Sequence, residues 1–111
     1  MSDDSQVVVP RSFIELYMLP GRLKPTAPRD EIAARHEFCE DLASMLTEHA
    51  RLKLWELGIA ETDVLQRMHR GLTVPDAPVS PVEAWWVMRR LAELLDWPVS
   101  ELPPQPPSSA A

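Results

Sequence analysis

The chain has 111 residues and a formal net charge of −6, with eleven Lys and Arg residues scattered among seventeen Asp and Glu residues. This length predicts one domain with one modest core. Nucleic-acid binding is disfavoured, because clustered basic residues supply most of the affinity for phosphate backbones. No apolar run is long enough to span a membrane, and the polar start argues against a secretory signal.

A single cysteine, Cys39, excludes an intramolecular disulfide and fits a reducing compartment. We therefore expect a cytoplasmic protein. Residues 1–9 pass from an acidic tail to three valines and are expected to form an arm over the domain. Residues 10–98 are predicted to form a single helical domain, which includes a short helix within Pro10–Leu19. Residues 99–111 are rich in Pro and Ser and predict a flexible tail.

The stretch Arg29–Leu57 is the longest without Gly or Pro, and Pro28 and Gly58 enclose it. These boundaries predict one long helix. At 100° per residue one continuous apolar stripe is expected to face the core, and it comprises Phe38, Cys39, Leu42, Met45 and Leu46. The apolar pattern shifts after His49, which indicates either a bend near residues 47–50 or a C-terminal half that is covered on two sides. We favour the two-sided cover.

Two further helices are predicted, at about 61–70 and about 81–95. Gly71 is expected to end the first of them. The second begins with the clearest start signal in the chain, in which Ser80 is the N-cap, Pro81 the first helical residue and Glu83 the capping-box acid. The predicted fold class is all-α: a small helical bundle with one long helix, a short helix and a third helix, plus an N-terminal arm and a Pro-rich tail.

The sequence predicts no enzyme and no cofactor. With only Gly21, Gly58 and Gly71 the chain has no phosphate-binding glycine motif. His36 and Cys39 are three residues apart, but a zinc site draws two such pairs from separate segments, so no metal site is expected. A thiol on an apolar helix face is more often inert than nucleophilic, and Cys39 is interpreted as a small buried hydrophobe.

The tryptophans are the strongest surface signal. Trp86 falls well off the apolar stripe of the third helix, beside Val82, Arg89 and Arg90. One interpretation is that the N-terminal segment Val7 to Leu19 packs over it, together with Trp55 or Trp97. The other is a partner-binding patch made of these four residues, since Trp and Arg dominate interface hot spots, with a cation–π pair between Trp86 and Arg90. The second interpretation predicts a binding surface for a protein partner, including a homodimer.

Three segments carry a resemblance: Ser12–Ile32, Arg35–Glu48 and Leu57–Leu72. Together they resemble a family of small bacterial proteins that often carry the automatic label "ATPase with chaperone activity". The missing phosphate-binding loop contradicts the ATPase part of that label. The resemblance implies association with a chaperone, an AAA+ component or a regulator, and so a non-enzymatic, chaperone-associated or regulatory adaptor.

A second resemblance covers Leu57 to Pro98, in which two helices meet at Leu57-Gly58-Ile59 and a third ends at Leu95-Asp96-Trp97-Pro98. This arrangement is similar to helix-turn-helix modules, including MerR-like modulators that bind J-domain co-chaperones. It implies the alternative function of a DNA-binding transcriptional regulator. The second helix would then offer Gln66, Arg67 and Arg70 to the DNA.

Overall fold

Four α-helices and one 3₁₀ turn make up the regular structure of residues 8–98, the part of the chain that this computed structural model describes. Within these residues there is no β-strand. The helices are α1 (Arg11–Ile14, followed by the 3₁₀ turn Glu15–Tyr17), α2 (Arg29–Leu57), α3 (Glu61–Leu72) and α4 (Pro81–Leu95). The all-α bundle predicted from the sequence is confirmed. Residues 1–7 of the predicted arm (1–9) and the whole predicted tail (99–111) lie outside the described residues.

The helix ends follow the local sequence signals. Gly58 takes the left-handed conformation that ends α2, and Ser80 and Glu83 form the predicted capping box at the start of α4. Asp96 ends α4 with a positive φ of 59°, which is rare for a residue with a side chain. Gly71, however, does not end α3. It keeps a helical conformation, and the helix continues to Leu72.

Helix α4 lies beside the N-terminal half of α2 and runs in the same direction. Two ion pairs fix this arrangement, because Arg35 of α2 binds Glu83 of α4, and further along both helices Glu40 of α2 binds Arg90 of α4. On the other side, α1 places Phe13 against His36 of α2 and Trp86 of α4. This half of α2 is therefore covered by two elements.

The C-terminal half of α2 is covered by α3 alone. With 15 residues α4 is about 22 Å long, whereas the 29 residues of α2 extend over about 43 Å. Helix α3 turns back along the rest of α2 and leaves its far side in solvent, where Leu52 is 52 % exposed and Trp55 is 83 % exposed. The prediction that this half is covered on two sides was wrong, since the third helix is too short to reach it.

The side of α2 that faces the core also differs from the predicted stripe. Cys39 is buried as predicted, but Phe38 is 40 % exposed and Met45 is 71 % exposed. The core lies along a neighbouring line on the helix, whose buried residues are Ile32, His36, Cys39, Ala43 and Ala50. The apolar side chains of α2 thus occupy a wider arc of the helix than the rest of the fold covers.

Candidate functional site

Trp86, the centre of the predicted partner-binding patch, is buried. Its side chain is 5 % exposed, and its indole N–H donates a hydrogen bond to the Ser12 hydroxyl at 3.0 Å. The rings of Phe13 and His36 meet it edge to face, with centroid distances of 5.0 and 5.5 Å. The N-terminal segment that contains α1 therefore covers Trp86, and the exposed ring that the predicted patch requires is absent.

The other three residues of that patch are already engaged within the fold. Val82 packs against the core. The guanidinium of Arg89 stacks over the ring of Trp85 at 5.2 Å. Arg90 binds the carboxylate of Glu40, with its Nε 2.9 Å from Oε1, so the predicted cation–π pair between Trp86 and Arg90 is replaced by an ion pair. Of these contacts, the Arg90–Glu40 ion pair joins α4 to α2, whereas Arg89 and Trp85 lie on the same helix.

Glu83 is the most heavily bonded buried side chain of the described residues. Its carboxylate accepts hydrogen bonds from Arg35, Tyr17 and the backbone N–H of Ser80. Burial disfavours the charged carboxylate, but these hydrogen bonds outweigh it and hold the pKa of Glu83 below its ordinary value. A carboxylate that remains charged and fully bonded to its own chain joins α2, α4 and the 3₁₀ turn after α1. Each of its two oxygens already accepts two hydrogen bonds from this chain, so the carboxylate is not placed to exchange a proton with a substrate.

The two candidate reactive groups on α2 lie in the core. Burial raises the pKa of the Cys39 thiol to about 12, so the thiol stays protonated. Burial also lowers the pKa of His36, which lies among the aromatic rings around Trp86. Among residues 8–98 no group of three His, Cys, Asp or Glu side chains is placed to hold a metal ion. Both residues therefore act as parts of the core.

Most of the exposed apolar surface of the described residues is on α2. Of the eight large hydrophobic side chains that are exposed in the described part of the chain, five belong to this helix. Three of them, Phe38, Met45 and Leu52, are spaced seven residues apart and fall within about 40° of one another around the helix. They form a line of about 21 Å along the helix, which we call the α2 seam. The intervening positions of the same heptad pattern are Leu42 and His49.

This spacing is the one that helices use to pack along each other. A repeat of 3.5 residues keeps apolar side chains facing a partner helix over several turns. Trp55, three residues after Leu52 and 83 % exposed, lies beside the C-terminal end of the α2 seam, about 60° around the helix from Leu52. Trp is among the residue types that most often dominate the binding energy of protein interfaces. The exposed Trp of this chain is therefore Trp55, whereas the sequence pattern had suggested Trp86.

The residues predicted to contact DNA lie on α3. Gln66, Arg67 and Arg70 are all exposed, as a contact role requires. Asp63, one turn earlier on the same helix, is also exposed. Its carboxylate would repel a phosphate backbone close to the start of the helix, where a helix-turn-helix protein reads base edges.

Comparisons with known proteins return no relative: no family model matches the chain, and neither does any curated protein or solved structure. None of the described helices is both long and apolar enough to cross a membrane. The fold and the exposed surface therefore define the class, a small all-α bundle whose longest helix carries an uncovered apolar seam.

Proposed function

We propose that this protein is a non-enzymatic interaction module that binds another protein through the α2 seam and Trp55. The observation that carries the proposal is the heptad-spaced line of Phe38, Met45 and Leu52 in solvent. A continuous exposed apolar surface of this kind marks interaction sites in soluble proteins. The partner would lay a helix along α2, with Trp55 as an anchor at one end.

The charges beside the seam disfavour an antiparallel pairing of α2 with a second copy of this chain. Asp41 and Glu48 are exposed on the same flank of α2. Two copies of α2 that packed antiparallel around Met45 would bring these carboxylates close to each other, and like charges at an interface oppose association. A partner helix with basic residues on that edge would instead meet complementary charge.

The identity proposed for the partner is narrower and rests on the sequence resemblance. The resemblance to proteins labelled as chaperone-associated supports a chaperone, an AAA+ component or a regulator as the partner. In that role the protein would act as an adaptor, presenting its seam to the larger machine. The uncovered seam would then be filled only in the complex.

Affinity capture from the native host tests this proposal. Wild type is compared with Met45→Glu, which places a charge in the middle of the seam, and with the control Ser44→Glu. The control adds the same charge at an adjacent exposed residue off the seam. We expect a captured protein to be retained by wild type and Ser44→Glu and to fall about tenfold or more with Met45→Glu. Equal capture by all three folded variants would contradict the proposal.

The DNA-binding alternative has its own test. The exposure of Gln66, Arg67 and Arg70 is the observation that favours it. A duplex-binding function requires a salt-sensitive mobility shift that Arg67→Glu/Arg70→Glu abolishes. We expect no such shift at physiological salt, because the acidic side chains of α3 and the net charge of −6 oppose it.

A further inference from the structure

A cleft of about 370 Å³ lies between the C-terminal half of α2 and α3, along one edge of the α2 seam. His49, which occupies a heptad position of the seam, also lines this cleft. The apolar part of the lining comes from both helices: Leu46 and Leu57 from α2, and Val64, Met68 and Leu72 from α3. A helix lying on the seam would therefore have this cleft beside it.

The charged lining of the cleft has one sign. Besides His49, its titratable residues are Lys53 and Arg67, and no carboxylate is among the described residues that line it. Two other clefts in residues 8–98 have mixed linings, since one contains Glu40 and Glu93 and the other Asp30 and Glu37. In a chain with seventeen acidic and eleven basic residues, this is a local reversal of the overall charge.

The basic side chains at the cleft are not used by the fold. The ion pairs among residues 8–98 involve Arg11, Arg35 and Arg90, and none of them uses Lys53 or Arg67. Arg67 is exposed and Lys53 is half-buried at the edge of the apolar floor. An apolar floor with unpaired cations at its rim complements a peptide that offers both apolar and acidic side chains.

We infer that this cleft binds an acidic amphipathic helix of the partner, with apolar anchors in the cleft and carboxylates against Lys53 and Arg67. The inference rests on the proposed function and names the partner's chemistry. The apolar floor favours a peptide over a nucleic acid as the ligand of this cleft. A sugar-phosphate backbone has no apolar side chain that could fill the space between Leu57, Val64 and Met68. Met68 also suits a binding floor, since its flexible thioether adapts to different side chains.

Gly71 provides a way to close the cleft without disturbing the fold. It lines the cleft, has a helical conformation, and a Cβ placed on it would meet no atom within 4 Å. Gly71→Leu should therefore fill the cleft from inside. Gly71→Ala is the matched control, because it has the same effect on the helix backbone and leaves most of the space open.

The test selects helical peptides from a displayed library on the full-length protein and measures their affinities by fluorescence anisotropy. We expect the enriched peptides to carry Asp or Glu beside apolar residues spaced three and four apart. Their affinity should fall about tenfold or more with Gly71→Leu or Lys53→Glu/Arg67→Glu. It should change less than about twofold with Gly71→Ala or with Arg51→Glu/Arg70→Glu, which makes the same charge change outside the cleft.

Enrichment of basic or neutral peptides without any acidic ones would overturn the inference, as would acidic peptides whose binding Gly71→Leu does not change, or a selection that yields no peptide. Duplex DNA binding that Lys53→Glu/Arg67→Glu abolishes would also overturn it, and so would a dimer that Gly71→Leu dissociates. Peptides that are lost with Met45→Glu but unaffected by the cleft variants would leave the proposed function intact and refute only this inference. Peptide binding that neither Met45→Glu nor the cleft variants weaken would refute both the proposed function and this inference.

Discussion

Arg35 and Glu83 form a two-pronged ion pair between α2 and the first turn of α4, with Nη2 2.8 Å from Oε1 and Nε 3.0 Å from Oε2. The same Arg35 Nη2 donates to the carbonyl oxygen of Pro78 at 2.9 Å, in the loop before α4. Together these bonds fix where α4 begins along α2. Since α4 has only 15 residues, this start also fixes where its cover of α2 ends.

Glu83→Gln should lower the free energy of unfolding by about 2 kcal/mol, because it removes the charge that Arg35 pairs with in a largely buried site. The matched control is Glu93→Gln on the same helix, where the ion pair with Arg90 is solvent-exposed. The control should cost less than about 1 kcal/mol. Urea denaturation near neutral pH measures both. Equal losses for the two variants would contradict the role assigned to Glu83.

His36 predicts a loss of stability in mild acid. Burial lowers its pKa in the folded protein, so the unfolded chain takes up the proton first as the pH falls below about 6.5. The unfolded state then binds more protons than the folded state, and the free energy of unfolding decreases with decreasing pH. This loss begins at the unfolded-state pKa and ends at the lower, folded-state pKa.

His36→Gln removes this titrating side chain. The free energy of unfolding should then decrease less between about pH 7 and about pH 5 than it does in wild type. Some slope should remain, because burial also lowers the pKa of His69. The measurement is the free energy of unfolding from urea titrations at several pH values. Parallel curves for wild type and His36→Gln would show that His36 does not control the slope.

The two glycines that border α3 should respond to alanine in opposite ways. Gly71 is helical with open space around it, so Gly71→Ala should stabilise the protein by about 0.5 to 1 kcal/mol. Gly58 has a φ of 62°, and Gly58→Ala should destabilise it by about 1 to 2 kcal/mol. Thermal unfolding of both variants measures the two shifts. Shifts of the same sign would mean that one of these backbone conformations is wrong.

The helix boundaries could be predicted because they depend on local chemistry. Gly58 has the residue type that a left-handed helix end needs, and Ser80 and Glu83 satisfy the first turn of α4 from within four residues. The single exception of consequence is Gly71, which has the composition of a helix end but sits where α3 continues along α2. Packing of Leu72 against the core favours this extension of the helix by two residues.

The placement of the core could not be predicted in the same way. The buried line of α2 includes His36, Ala43 and Ala50, which carry little hydrophobic signal, whereas Met45 and Leu52 carry a strong one and lie in solvent. Periodicity shows that an apolar arc exists but not which part of it the fold covers. That depends on the length and start of α4, which are properties of the tertiary structure.

The surface that we propose for partner binding differs from the patch predicted around Trp86 for the same reason. Trp86 looked exposed because its own helix is polar around it, but a short segment 74 residues earlier in the chain brings Ser12 and Phe13 over the ring. Such a contact has no signature in the sequence of α4. By contrast, the seven-residue spacing of Phe38, Met45 and Leu52 was visible in the sequence. It became informative only once these side chains were found outside the core.

The most direct test of the central claim is site-specific photo-crosslinking in the native host cell. A photoreactive phenylalanine analogue replaces Trp55 at the end of the α2 seam, or the exposed Arg29 at the other end of the same helix, about 39 Å away. We predict one adduct with a different protein from position 55 and none from position 29. No adduct from position 55, equal adducts from both positions, or an adduct only with a second copy of this chain would contradict the claim that α2 receives a partner protein.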